Sequence, residues 1–196
     1  MIRIGFIRHG TTEWNLQGRM QGLTDISLAE IGRDQAILLG KSLQPADWDG
    51  ILSSDLTRAA QTAELLASSS AIPFLGVDAR LRERGFGMLE GTTLPERVAR
   101  WGENWRQLDL GREKLDSLLV RWDSFLEENS RIHAGKRILI VSHGGLIEPV
   151  LANRYGTVVQ QHLTNTSLSV LDFYESGWRC DLLNCSKHLK IAQNEI

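Results

Sequence analysis

Cysteine is nearly absent, with Cys180 and Cys185 the two in a chain of 196 residues. Their odd separation sends them to opposite faces of any strand they share, which argues against a bridge and for two buried thiols in a reducing cytoplasm. Long apolar runs are missing as well. No stretch reaches the roughly 18 consecutive apolar residues that mark a membrane helix. The apolar run in the opening MIRIGFIRHG is interrupted by Arg3 and is too short for a secretory leader. Neither export nor membrane insertion is expected, and the expected location is the cytoplasm. There is no excess of positive charge either: 22 Lys and Arg stand against 24 Asp and Glu, for a net charge of −2. The basic residues are scattered among acidic ones, so a nucleic-acid partner is not expected. The histidines His9, His133, His143, His162 and His188 show no His-Glu pairing of the zinc-protease kind and no cysteine-rich spacing, so no metal site and no cofactor is expected. The GFGMLEG stretch reads G-x-G-x-x-x-G and follows no strand-to-helix unit, which argues against a dinucleotide loop.

What is present reads as one ordinary domain spanning 1–196. The chain is 42% hydrophobic and 23% charged, close to the globular average, and has the length of one domain. There is no internal repeat, linker or low-complexity tract. Residues 2–8 (IRIGFIR) read as a buried strand running into His9-Gly10. From 27 to 43, Leu28, Ile31, Leu38, Leu39 and Leu43 recur at helical spacing, with Ser27 as N-cap and Glu30 completing a capping box. GILSS at 50–54 is a short strand, Asp55 a cap, and LTRAAQTAELLA a helix that carries Arg58 in its first turn. PFLGV at 73–77 is a strand, followed by a glycine-punctuated loop, LRERGFGMLEG. The Trp- and Arg-rich segment 95–112 reads as one or two short helices, and 113–129 as a long amphipathic helix. RILIVSHGG at 137–145 repeats the opening arrangement, a β-branched strand delivering His143 into glycines, with a helix after it whose first turn holds Pro149. Strands at 167–174 and 178–185, joined by Glu175-Ser176-Gly177, close the chain. Strands alternating with helices predict a three-layer α/β/α sandwich with a largely parallel central sheet and an antiparallel terminal hairpin. Ligands in such folds bind beyond the carboxyl ends of the strands.

A lone histidine at a strand end is most often structural. Two of them, His9 and His143, each followed by glycine, are hard to explain by core packing and point to one shared site. Arg8 beside His9 suits a pair of groups facing an oxyanion. Arg58 sits where a helix dipole opposes a cation, a conflict that an anionic ligand removes; a surface arginine paired with Asp55 or Glu64 is the lesser alternative. Glu83, between Arg82 and Arg84, is either a salt-bridge partner or a catalytic acid. Together these residues are what phosphoryl transfer without a metal needs. Arg8, Arg58 and a protonated His143 would supply fixed positive charge, a neutral His9 would attack, and Glu83 would carry protons.

The stretches IRHGTTEWNLQGRMQGLTDISLAEIG, SSDLTRAAQTAELLA, LRERGFGMLEG and VSHGG together resemble the histidine phosphatase superfamily, in the branch that holds phosphoglycerate mutases and small bacterial broad-specificity phosphatases. The resemblance covers nearly the whole chain. It implies that His9 accepts phosphate, that Arg8, Arg58 and His143 complete the phosphate pocket, and that Glu83 is the proton donor. It further implies substrate contacts from Asn15, Gln21, Gly22 and Gly144, a small phosphorylated metabolite as partner, and a variable substrate-covering segment at about 92–112. Within the family a phosphatase is favoured over a mutase. The loop reads GFGMLEG, the chain is short, and Thr92 to Arg112 lacks the Lys and paired Arg positions with which mutases hold a second charged end. Glu148 stands near the second histidine where an arginine is common, and should repel doubly anionic substrates. Against this, Arg97, Arg100 and Arg106 could substitute from a shifted loop, and Trp101 and Trp105 either line the site or belong to the core. A mutase and a binding module that has lost turnover are the competing readings. The physiological substrate and the oligomeric state stay open.

Overall fold

Strand β1 (Arg3–Arg8) turns Ile4 and Phe6 to one side and Ile7 to the other, and both sides are buried. This is the pattern of a strand covered on both faces, where period-two alternation divides one apolar run between two cores. Strand β4 (Arg137–Ser142) does the same, with Ile138 and Ile140 against Leu139 and Val141. The computed structural model describes residues 1–191. In chain order its further elements are α1 (Glu13–Leu16), α2 (Glu30–Ser42), β2 (Gly50–Ser53), α3 (Thr57–Ser70), β3 (Phe74–Val77), α4 (Leu94–Trp101), α5 (Leu115–Ile132), α6 (Gly144–Tyr155), β5 (Leu168–Tyr174), β6 (Gly177–Cys185) and α7 (Lys187–Ile191).

The strands form one six-stranded sheet in the order β3-β2-β4-β1-β5-β6. The first four are parallel, while β5 and β6 add an antiparallel edge. One face packs Ile4, Phe6, Ile138 and Ile140 against Leu118, Trp122 and Phe125 of α5 and Leu146 and Val150 of α6. The other packs Ile7, Ile51, Leu139 and Val141 against Leu39 of α2 and Ala59, Ala63 and Leu66 of α3. The small alanines of α3 let that helix approach the sheet closely. The architecture is the α/β/α sandwich expected, with the antiparallel hairpin at its edge. Among the described residues no helix is long and apolar enough to cross a membrane.

Several local expectations are corrected, the first two by tertiary contacts. Helix α2 starts at Glu30 with Ala29 as its N-cap rather than Ser27. The Leu28 N–H donates to Gln61 Oε1 and the Ala29 N–H to the Thr11 carbonyl, which holds 28–29 outside the helix. Asp55 does not cap α3, because its carboxylate pairs with Arg82 at 2.6 Å. The cap comes from Asp25, which accepts from Thr57 N (2.8 Å) and Thr57 Oγ1 (2.7 Å). Pro149 lies in the second turn of α6, not the first, and has no N–H to offer the Gly145 carbonyl. Helix α1 forms inside what reads as loop, nucleated by a Thr12–Asn15 capping box. Cys180 and Cys185 are both free, as expected, but half-buried rather than buried. The segment 95–112 does supply short helices, α4 and a 3-10 turn over Trp105–Gln107.

Candidate active site

Strands β1 and β4 are parallel neighbours whose last residues, Arg8 and Ser142, stand in register. The next residue on each is a histidine, so the ladder itself sets His9 and His143 side by side, and the His9 N–H still donates to the Ser142 carbonyl at 2.9 Å. Their ring centroids are 5.1 Å apart. Both are buried, at 2% and 0% exposed. His9 Nδ1 lies 2.7 Å from the Gly10 carbonyl, a contact that needs a proton on Nδ1 and leaves the lone pair on Nε2. Burial pushes the His9 imidazole well below its ordinary value, and the Arg58 and Arg8 cations push the same way. The ring is neutral at pH 7.

Burial, followed by Arg58, His9 and Arg8, likewise takes His143 well below its ordinary value. These effects disfavour a protonated His143 in the protein alone, where the fixed positive charge belongs to the two arginines. Arg58 does occupy the first turn of α3, yet it is 0% exposed and pairs with neither Asp55 nor Glu64. Its Nη1 donates to the Thr24 carbonyl (3.0 Å) and its Nη2 to the Gly22 carbonyl (2.8 Å). Arg8 Nη1 donates to the Leu163 carbonyl. Burial lowers both guanidinium pKa values, with the Glu83 carboxylate opposing it in each case.

Glu83 is 9% exposed and pushed above the usual carboxylate range by burial, against the opposing pull of Arg58 and of N–H groups from Arg84 and Gly145. Arg84 N donates to Glu83 Oε1 at 2.8 Å. The flanking Arg82 is spent on Asp55, so Glu83 has no adjacent ion-pair partner from that side. Helix α6 begins at Gly144 with His143 as its N-cap, which puts first-turn N–H groups at the same place. Four buried polar atoms clustered here have no hydrogen-bond partner within the protein: Arg8 Nε, Arg58 Nε, and both ring nitrogens of His143. Buried donors and acceptors left unpaired are costly, and a group of them marks a place built for a polar ligand.

The site opens into a cavity of about 810 Å³ lined by Arg8, His9, Asn15, Gln21, Glu83, Gly144 and Gly145, among others. Gly22 does not line it. Its φ of +57° and its contact with Glu90, which a Cβ would overlap, shape the carbonyl that receives Arg58. Glu148 lines the cavity, and its Oε1 accepts from Leu163 N (3.1 Å), the residue whose carbonyl holds Arg8. From the variable segment Arg97 reaches the wall, but Arg100, Arg106, Trp101 and Trp105 do not. Trp105 belongs instead to a small cluster with Leu89 and Leu110. Among the described residues no three His, Cys, Asp or Glu side chains are grouped as a metal ion would need.

Two contributors escape sequence reasoning. Glu90 accepts from four groups at once: Leu23 N (3.1 Å) and Phe86 N (3.0 Å) on Oε1, Thr24 N (3.1 Å) and Thr24 Oγ1 (2.9 Å) on Oε2. It thereby fixes the 22–24 turn whose carbonyls clamp Arg58. Asn165 Nδ2 donates to the His9 carbonyl at 2.8 Å from a loop 156 residues away. The one sequence signal for Glu90 is its place in GFGMLEG; Asn165 offers none.

Comparison with known proteins places the chain in a family. A curated relative from Bacillus subtilis (strain 168), described as the uncharacterized phosphatase PhoE, is 34% identical over 192 residues, covering 96% of this chain and 97% of its own length. A probable phosphoglycerate mutase GpmB from Escherichia fergusonii is 32% identical over 192 residues, covering 91% and 88%. Among solved structures, a mycobacterial glucosyl-3-phosphoglycerate phosphatase complexed with VO3 superposes with a TM-score of 0.83 at 28% identity, over 94% of this chain and 100% of its own. The family model of the histidine phosphatase superfamily (branch 1) matches residues 4–186, and the chain belongs to that superfamily.

Proposed function

We propose that this enzyme is a cytoplasmic phosphomonoesterase of small phosphorylated metabolites, working as one domain through a phosphohistidine at His9 without a metal ion. The observation that carries the reading is the set of unpaired buried donors, Arg8 Nε, Arg58 Nε and His143, ranged around a neutral His9 whose Nε2 lone pair is free. The phosphoryl oxygens would take those donors. His9 Nε2 attacks phosphorus, the ester P–O bond breaks, and the leaving oxygen takes the proton held by Glu83. Water then attacks the phosphohistidine, Glu83 takes its proton, and inorganic phosphate leaves with His9 restored. The charge spread over the phosphoryl oxygens is met by two guanidinium groups, and a dianion bound beside His143 would favour its protonation. Asn15, Gln21 and the Gly144 N–H would contact the substrate from the cavity wall, while Gly22 serves through Arg58. The segment 92–112 would cover the substrate, with Arg97 its contribution to the wall.

Hydrolysis of p-nitrophenyl phosphate and 3-phosphoglycerate in EDTA tests this reading. Release of inorganic phosphate at an undiminished rate is expected, and complete loss with chelator would overturn the metal-free mechanism. Conversion of 3- to 2-phosphoglycerate primed by 2,3-bisphosphoglycerate, with little phosphate release, would instead make the enzyme a mutase.

Glu90→Gln tests how Arg58 is held. All four donors on the carboxylate meet oxygens, so an amide must turn its own N–H groups against two of them. The 22–24 turn then loses its anchor, and kcat/KM should fall about tenfold through KM, as inorganic phosphate binding weakens in parallel. Unchanged phosphate affinity would show that Arg58 needs no such support.

A further inference from the structure

We propose that His188, on α7, is a positioning residue for the reaction, which locks the 163–167 loop onto Arg8 and His9 by donating a hydrogen bond to Thr166. This rests on the phosphatase reading above, in which those two residues receive the phosphoryl group. The loop is tied to the end of β1 at four points. Arg8 Nη1 donates to the Leu163 carbonyl, Asn165 Nδ2 to the His9 carbonyl at 2.8 Å, Thr166 N to the Arg8 carbonyl at 2.9 Å, and Arg8 N to the Ser167 carbonyl at 3.3 Å. A shift of the loop therefore moves a guanidinium and the nucleophile together. At its centre the fully buried Thr166 has a φ of +58°. A β-branched residue in the left-handed region is under strain and stays there only where its surroundings hold it. That dihedral lies between the two backbone groups that bond Arg8, the Thr166 N–H and the Ser167 carbonyl, so its relaxation breaks one of the two bonds.

The Thr166 hydroxyl is pinned from both sides, 2.7 Å from the Asn165 carbonyl and 3.0 Å from His188 Nε2. A carbonyl only accepts, so the single hydroxyl proton goes to Asn165 and His188 Nε2 must be the donor on the other side. Burial pushes the His188 imidazole below its ordinary value. The neutral form prevails at pH 7, with its one ring proton on Nε2. The loop has two further supports, but both act at its start: Glu148 Oε1 accepts from Leu163 N at 3.1 Å and Asn184 Oδ1 from Thr164 N at 2.8 Å. Among the described residues His188 is the one side chain from outside the loop that bonds Thr166. It is 6% exposed and does not line the cavity. Its helix packs on α2, which also backs the turn after His9, where a Cβ on Gly10 would lie 2.5 Å from the Gly32 carbonyl. A hydrogen bond from that helix thus reaches the nucleophile through one strained residue.

The test is a double-mutant cycle between His188 and Thr166. His188→Leu fills the space without a donor, His188→Gln places an amide N–H near the position of Nε2, and Thr166→Gly adopts the positive φ freely. In His188→Leu, assayed well below its melting temperature, kcat/KM for p-nitrophenyl phosphate should fall roughly tenfold through misplacement of Arg8 and His9. Its calorimetric Kd for inorganic phosphate should rise about fivefold. His188→Gln should recover most of both losses. In the Thr166→Gly background the His188→Leu change should cost nothing further, since no strained residue is left to hold. A histidine that merely fills the core would lower the melting temperature and leave kcat/KM of the folded protein alone. Unchanged kcat/KM and phosphate affinity in His188→Leu, a glutamine variant no better than leucine, or an equal loss in the Thr166→Gly background overturns the proposal. Nitrogen-15 NMR of the native protein needs no variant to fold: His188 should be the Nε2–H tautomer, and the Nδ1–H tautomer would equally overturn it. Failure of the native protein to hydrolyse p-nitrophenyl phosphate would strike the phosphatase reading instead, and the tautomer and phosphate affinities would still decide this one.

Discussion

Replacing His9 with Ala is expected to lower hydrolysis of p-nitrophenyl phosphate on the order of 10⁴-fold or more, the size of effect seen when a covalent nucleophile is removed. His9 has no substitute within reach. His143, whose ring centroid is 5.1 Å away, is fully buried beneath the pocket, and Glu83 is occupied with protons in the proposed cycle. The loss should appear in kcat. Inorganic phosphate should still bind, since Arg8 and Arg58 keep the carbonyl contacts that orient them. Titration calorimetry separates the two effects. If kcat fell less than about tenfold, the attack would come from water directly and His9 would be a binding group.

Glu83→Gln should divide the reaction into its halves. The variant keeps the shape of the side chain and loses the proton. An alkyl ester, whose leaving oxygen must be protonated, should lose about 10²- to 10⁴-fold in kcat. p-Nitrophenolate leaves unaided, so this ester should give a burst of about one nitrophenolate per site and then slow turnover, because the water step lacks its base. The pH dependence follows from two directions of shift. Glu83 is raised, so it keeps its proton at pH values where an ordinary carboxyl has lost it, and kcat/KM for an alkyl ester falls as pH rises through that raised value. His9 is depressed, so it stays neutral until the pH drops well under the usual imidazole range, and kcat/KM falls again below that point as the lone pair is protonated. In Glu83→Gln the alkaline limb should vanish and the acid limb remain. An alkaline limb that persists in the variant would assign the acid to another group.

Much of this site is written locally. Two β-branched runs that each end in His-Gly announce two strand ends, and Arg58 and Glu83 stand in recognisable stretches of their own. The register that joins the strands is not local: nothing within 2–10 or 137–145 says that Arg8 meets Ser142 across a parallel ladder. Electrostatics is lost in the same way. A protonated His143 is a fair reading of an isolated imidazole, but burial and two guanidinium groups act against it together, so that protonation would need an anion bound beside the ring. The caps show the rule at small scale. Ser27 has the chemistry of an N-cap, but hydrogen bonds from Leu28 and Ala29 to distant partners move the helix start, while Asp25 caps a helix 32 residues on. Glu90 and Asn165 act across separations of 66, 67 and 156 residues, where sequence pattern carries no signal. The substrate wall is the least legible part. Arg97, Arg100 and Arg106 look equivalent in the sequence, yet of the three Arg97 alone reaches the cavity wall, although Arg97 and Arg106 both stack on Trp105.

The central claim is that the phosphoryl group rests on His9 between its two transfers. Glu83→Gln, mixed briefly with p-nitrophenyl phosphate carrying a radiolabelled phosphoryl group and quenched in alkali, which spares phosphohistidine, should hold close to one label per chain. Peptide mapping should place it on the fragment containing Arg8-His9-Gly10, and the same experiment with His9→Ala should leave the protein unlabelled. Label on a fragment containing His143, or a nitrophenolate burst with no label on the protein, would contradict the account.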